Sequence, residues 1–175
     1  MAKKEIENEY LKQAKALGFT IPSKNSIIKN AYLRLKNNES VILLTGGLYA
    51  LVSTDDYFNG PHTKRWKSSD KNKPSATMTS TQPDIDGKGT HTEIYYREIC
   101  KSLIEDTAKF YRCKPEEVYV DHINHIRGDN RYCNLQVATP FQNSLNRSKT
   151  KIEKAFYDIN DVLCKFATGE WVPED

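Results

Sequence analysis

The residues of this chain best equipped for chemistry lie between Val120 and Arg147, in V-D-H-I-N-H-I-R-G-D-N-R-Y-C-N-L-Q-V-A-T-P-F-Q-N-S-L-N-R. Asp121 and His122 are adjacent, Asn134 follows Asp121 by thirteen residues, and Asn143 comes nine residues later. A carboxylate and an amide oxygen are hard donors that suit Mg²⁺ first and Mn²⁺ second, and two protein ligands leave places for phosphate and water. An imidazole titrating near neutrality suits the removal of a proton from that water. The set therefore points to metal-dependent cleavage of nucleic acid, with Asp121 and Asn143 as metal ligands and His122 as general base. An isolated Asp-His pair is more often a surface turn or a satisfied hydrogen bond, so the spaced asparagines carry the weight.

Those residues need a hairpin and a helix to bring them together. Val118-Tyr119-Val120 reads as a short buried strand, and Asn134 to Thr139 alternates polar and apolar residues as a half-buried strand does. The residues between them, rich in Asn, Gly, Asp and Arg, read as the hairpin loop. Thr139-Pro140-Phe141-Gln142 then offers an N-cap, a proline at the first helical position and a capping-box glutamine. On the helix starting at Pro140, Asn143, Asn146 and Arg147 share a face.

This text resembles the HNH, or ββα-metal, nuclease family, most closely its phage and intron homing endonuclease branch, whose usual line is D-H-I-N-G, then D-N-R-x-x-N-L, then N-x-x-N. The resemblance implies a catalytic set of Asp121, His122, Asn134 and Asn143. Within it Asn134 is the middle asparagine, which bonds across the loop to hold the histidine and is not a ligand. It also implies cleavage of double-stranded DNA to a 3′ hydroxyl and a 5′ phosphate. Arg127, Arg131, Asn146 and Arg147 are candidate DNA contacts. His125 stands where relatives often have Gly, and is read as a solvated loop histidine before a phosphate contact. A second, looser likeness runs from Leu44 to Ile99, in L-T-G-G-L-Y-A-L-V-S-T-D-D-Y, R-W-K and T-E-I-Y-Y-R-E-I. It resembles the β-rich leader of phage HNH proteins, a sheet that often lies on DNA, which makes Arg65 and Lys67 candidate backbone contacts and leaves Trp66 as core. Tyr96-Arg97 replaces the His-Arg of relatives, at a position outside the catalytic set.

Periodicity predicts helices over residues 3–17 and 24–37, a hairpin of Val41–Thr45 and Leu48–Ser53 about Gly46-Gly47, and a loop from Ser68 to Lys88 with one short strand near Ala76–Ser80. A helix over Arg97–Tyr111 should turn Ile99, Leu103, Ile104 and Ala108 inward. The expected class is α+β, in four segments. These are a basic helical front (1–40), a β-rich leader (41–99), the ββα-metal unit (100–150) and a packing tail (151–175).

The net charge of +3 is unevenly spread, with eight Lys/Arg against four Asp/Glu in residues 1–40 and a net −3 in residues 151–175. The front is thus a candidate phosphate-contacting surface. Cys100, Cys113, Cys133 and Cys164 include no C-x-x-C pair, so neither structural zinc nor a disulfide framework is expected. With no signal peptide and no run of about eighteen apolar residues, a cytoplasmic chain is expected. No heptad pattern advertises an interface, so a monomer or weak dimer that nicks one strand is anticipated. Two other readings stay open: a non-cleaving DNA-binding protein on the same scaffold, and a restriction or packaging-associated nuclease.

Overall fold

The computed structural model describes residues 3–145 and 154–175, in an α+β architecture. Helix α1 (Lys3–Ala16) forms as the apolar spacing requires, and Ala14 reaches the core. The helix expected over residues 24–37 does not form. Ile27 is 64% exposed, and Tyr32–Leu35 is a strand, β1, paired antiparallel with β2 (Glu39–Leu43). The spacing of Ala31 and Leu35 misled because four is even: residues at i and i+4 share a face in a strand as well as in a helix. Asn37 and Asn38 make the intervening turn, both in the left-handed region (φ 64° and 60°) that Asn tolerates.

Strand β3 (Tyr49–Ser53) pairs with β2 around Gly46-Gly47, as the sequence suggests. Both strands read as unbroken apolar runs because both faces of their sheet are covered. On one face Val41, Leu43, Tyr49 and Leu51 meet Ala14 of α1, together with Tyr157, Val162 and Trp171 of the tail. On the other, Ile42, Leu44, Ala50 and Val52 meet Tyr57, Trp66, Met78 and Tyr95. Tyr57 belongs to the short helix α2 (Thr54–Phe58), and Val162 to α6 (Ile159–Ala167), whose start is capped by the Asp158 carboxylate. Trp66 is fully buried and its indole N–H donates to the Pro61 carbonyl at 2.8 Å.

A second sheet, β4 (Lys67–Ser68), β5 (Met78–Pro83) and β6 (Thr90–Ile94), is antiparallel throughout. Its central strand runs past the expected end at Ser80 because β6 pairs with it as far as Pro83. The single helix expected over Arg97–Tyr111 is two, α3 (Tyr95–Ile99) and α4 (Lys101–Tyr111), joined at Cys100. Cys100, Ile104 and Ala108 form the buried stripe, while Leu103 falls off it and is 41% exposed.

That stripe packs on a hairpin of β7 (Tyr119–His122) and β9 (Leu135–Ala138), against Val118, Val120, Leu135 and Val137. Helix α5 (Pro140–Leu145) follows directly. Its capping box is complete, with Gln142 N–H donating to Thr139 Oγ1 at 3.3 Å and Thr139 N–H donating to Gln142 Oε1 at 3.0 Å. Between β7 and β9 the loop supplies β8 (Asp129–Asn130), which joins the first sheet parallel to β3, so the order there is β1-β2-β3-β8. No helix among the described residues is long and apolar enough to cross a membrane.

The loop is wedged between the leader sheet and the tail. Gly128 N–H donates to the Ala155 carbonyl at 2.7 Å, and its own carbonyl accepts from Leu51 N–H at 2.7 Å. A Cβ at Gly128 would lie 3.0 Å from both the Ala155 oxygen and the Phe156 Cα. Gly128→Ala should therefore destabilise the fold by about 1–3 kcal/mol through overpacking. Urea unfolding should read this as a lower midpoint at unchanged slope, and an unaltered midpoint would contradict the wedge.

Candidate functional site

Successive residues of a strand point to opposite faces, and this governs the site. Val118, Val120 and His122 share the face packed on α4, whereas Asp121 is on the other, beside Gln136 and the buried Ala138. Asp121 is half-buried, and Gln136 Nε2 donates to its Oδ2 at a long 3.4 Å. Helix α5 packs on β7 and β9, and from Phe141 to Leu145 only Asn143 is withdrawn from solvent. Its side-chain amide has no hydrogen-bond partner among the described residues. Asp121 and Asn143 thus offer two lightly engaged oxygens. Among the described residues no group of three His, Cys, Asp or Glu side chains is placed to hold an ion, so a cation here would take its remaining ligands from water and substrate. The donor set fits a hard divalent ion.

His122, at 3% exposure, is the most enclosed residue of the set. Its Nε2 lies 3.1 Å from Asn130 Oδ1, and its ring stands edge-on to Tyr96, with centroids 5.4 Å apart and planes at 87°. The Asn130 amide donates through Nδ2 to the Arg127 carbonyl at 3.1 Å, which turns its oxygen toward the histidine. His122 Nε2 is then the protonated nitrogen and Nδ1 carries the lone pair. Burial pushes the imidazole below its usual pKa, and the Arg127 charge adds to this against the bond to Asn130. The neutral, basic form is favoured.

Asn134, 6% exposed, closes the loop. Its Oδ1 accepts from Asn124 N–H at 3.0 Å, and its Nδ2 donates to Asn124 Oδ1 at 2.9 Å and to the Asp129 carbonyl at 2.8 Å. Asn124 Nδ2 donates to Asp129 Oδ2 at 2.7 Å. Arg131 completes the network. Its guanidinium grips both Asp129 oxygens, at 2.8 and 2.6 Å, and reaches Glu39 Oε1 of β2 at 2.6 Å. Its charge faces two carboxylates, which makes it a clamp on the loop. Arg127 is the reverse case. It is half-buried near His122 and Tyr96, and its guanidinium has no hydrogen bond or ion pair among the described residues. Arg65 and Lys67 are exposed beside the buried Trp66. Asn146 and Arg147 lie outside the described residues.

Two neighbours of the histidine escape a sequence reading. Asn130 lies in the D-N-R text, but nothing in its type announces a bond to His122. Position 96, expected to stand apart from the catalytic set, presses its ring on His122. The adjacent Arg97 donates to the Val118 and Pro115 carbonyls at 2.9 and 2.8 Å, which pins α3 to the approach of β7.

The sequence profile described as HNH endonuclease matches residues 113–145, the span from the end of α4 to the end of α5. Over this segment the chain is similar to the HNH endonucleases. An uncharacterised HNH endonuclease of Acanthamoeba polyphaga mimivirus is 43% identical over 47 residues, 27% of this chain and 25% of the viral protein. The chain therefore matches about a quarter of that relative's length. No solved structure matches. The HNH segment carries the ββα unit, and the leader sheet and tail that embrace it lie outside the matched span.

The buried neutral His122 also predicts how apo-protein stability varies with pH. Its pKa in the folded state is below the unfolded value near 6.5, so as pH falls the unfolded chain takes up the proton first. The contribution is complete above that value and is lost below it. In EDTA, stability should decline from about pH 7.5 to about pH 5.5, and His122→Asn should flatten part of that decline. His91, whose pKa is raised by Asp84 and Glu93, works in the opposite sense and is common to both proteins. Equal pH slopes for the two proteins in chemical denaturation would contradict the burial of His122.

Proposed function

We propose that this protein is a divalent-metal-dependent endonuclease that hydrolyses a phosphodiester bond in double-stranded DNA, leaving a 3′ hydroxyl and a 5′ phosphate. The observation that carries the reading is the orientation of His122. Asn130 Oδ1 accepts a hydrogen bond from its Nε2–H, leaving Nδ1 as a base, while Asp121 and Asn143 supply oxygens from the same ββα unit. Asp121 and Asn143 would hold Mg²⁺ or Mn²⁺, and the ion when bound neutralises charge on the phosphate and the departing 3′ oxygen. Because Asp121 and His122 face opposite sides of β7, the scissile phosphate lies across the end of that strand. His122 Nδ1 takes the proton of the attacking water, and the low exposure of the ring limits it to that one water. Arg127, paired with no carboxylate among the described residues, meets the phosphate from the histidine side.

One constellation in one chain serves one strand, so the expected event is a nick, made by a monomer or weak dimer. The resemblance to the homing branch supports a homing-type role. The near-complete burial of His122 favours a second reading, a DNA-binding protein that does not cleave.

Supercoiled plasmid decides between them. The wild type with Mg²⁺ should build up open-circular DNA well before linear, and EDTA should stop it. Asp121→Ala and Asn143→Ala should lose cleavage while binding DNA without metal, and His122→Ala should lose about 10²- to 10⁴-fold in rate. Full nicking by Asp121→Ala would sink the metal assignment, and no nicking by the wild type would favour the non-cleaving reading.

A further inference from the structure

The loop from Ile123 to Gly128 is held from within and from both sides. Asn124 Oδ1 accepts from Ile126 N–H at 2.9 Å while its amide nitrogen holds Asp129, Ile126 packs on the main core, and Gly128 is wedged against Ala155 and Phe156. Between these anchors two side chains have nothing to hold. Neither ring nitrogen of His125 and no nitrogen of the Arg127 guanidinium has a hydrogen bond or ion pair among the described residues, although both residues are half-buried. The His125 backbone is also left-handed, at φ 63°, fixed there by the bond from its N–H to the His122 carbonyl at 2.9 Å. Glycine takes that conformation freely, and any residue with a Cβ takes it at a cost, histidine at less than most. A residue kept where the backbone penalises it, with its donors unspent, is a candidate for work on a ligand.

We infer that His125 and Arg127 form a phosphate clamp, in which a ring N–H of His125 and the guanidinium of Arg127 donate to backbone phosphates of the bound strand. The inference rests on the nuclease reading and adds a residue to it, because His125 is not needed for proton transfer or for the metal. Ile126, the residue between them, is anchored in the core, so the two side chains are presented by a stretch of chain that is already ordered. Their binding energy is then not spent on ordering the loop.

The test is fluorescence anisotropy of a labelled duplex in EDTA, with wild type, His125→Gly, His125→Asn and Arg127→Gln. His125→Gly should weaken binding by roughly 3- to 10-fold, within the range expected for one typical, solvent-competed hydrogen bond, while its melting temperature stays level or rises because glycine relieves φ 63°. Arg127→Gln should make the log-log salt slope shallower by about 0.9, one phosphate contact. In Mg²⁺, His125→Gly should raise KM and leave kcat near the wild-type value, which a merely structural role would not produce. His125→Asn tolerates the same backbone and guards against a folding artefact. It should bind more tightly than the glycine variant, since its amide can still donate. Wild-type affinity and KM in both His125 variants would overturn the clamp while leaving the nuclease reading intact. Absence of duplex binding by the wild type would overturn both.

Discussion

The site depends on one join, the parallel pairing of β8 with β3. Two residues of the loop between β7 and β9, Asp129 and Asn130, are at once loop and sheet, opposite Leu51 and Val52. Asn130 can orient His122 because its backbone is a strand of the leader. Asp129 can hold Asn124 because Arg131 and Glu39 lock it from the β2 side. A short two-stranded hairpin is at best marginal in water by itself, and here it borrows the rigidity of a sheet with both faces buried.

The Arg131 clamp suits that task energetically. Asp129 is 1% exposed, and breaking a fully buried ion pair by removing one partner costs about 3–5 kcal/mol. The cost is lower here, because Arg131 keeps 29% of its side-chain surface in solvent. The second contact, from Arg131 to Glu39, ties residues 92 positions apart in the chain, so the value of the clamp lies in geometry more than in net stability. A single chain of contacts runs from Glu39 through Arg131, Asp129 and Asn124 to Asn134, and it closes the loop that begins where His122 ends.

The ββα unit was legible because its signals are local. The capping box at Thr139 and Gln142, the alternation of Leu135–Ala138 and the apolar Val118 and Val120 each follow from neighbours a few residues away. The apolar hairpin around Gly46-Gly47 was equally plain. What escaped was non-local or degenerate. Ala31 and Leu35 satisfy a helix and a strand alike, and the Asn37-Asn38 turn that decides the matter is only as strong as Asn's tolerance of left-handed φ. The clamp that Arg131 makes was hidden because Glu39, which it reaches, is far away in sequence. The bond from Asn130 to His122 and the ring of Tyr96 on His122 exist only once β8 enters the leader sheet and α3 docks beside β7. The alternation that sends Asp121 and His122 to opposite faces was implicit in calling the segment a strand.

The most direct test of the account is native-state hydrogen exchange on the whole protein, comparing the amides of Asn124, Ile126, Gly128 and Asp129 with that of Leu51. These loop amides bond to Asn134, Asn124, Ala155 and Ile126, and Leu51 N–H bonds to Gly128. If the loop between β7 and β9 is a strand of the leader sheet, all five should exchange through one opening with one denaturant slope, close to that of global unfolding. Loop amides that exchange through a separate, low-energy opening while Leu51 remains protected would contradict it.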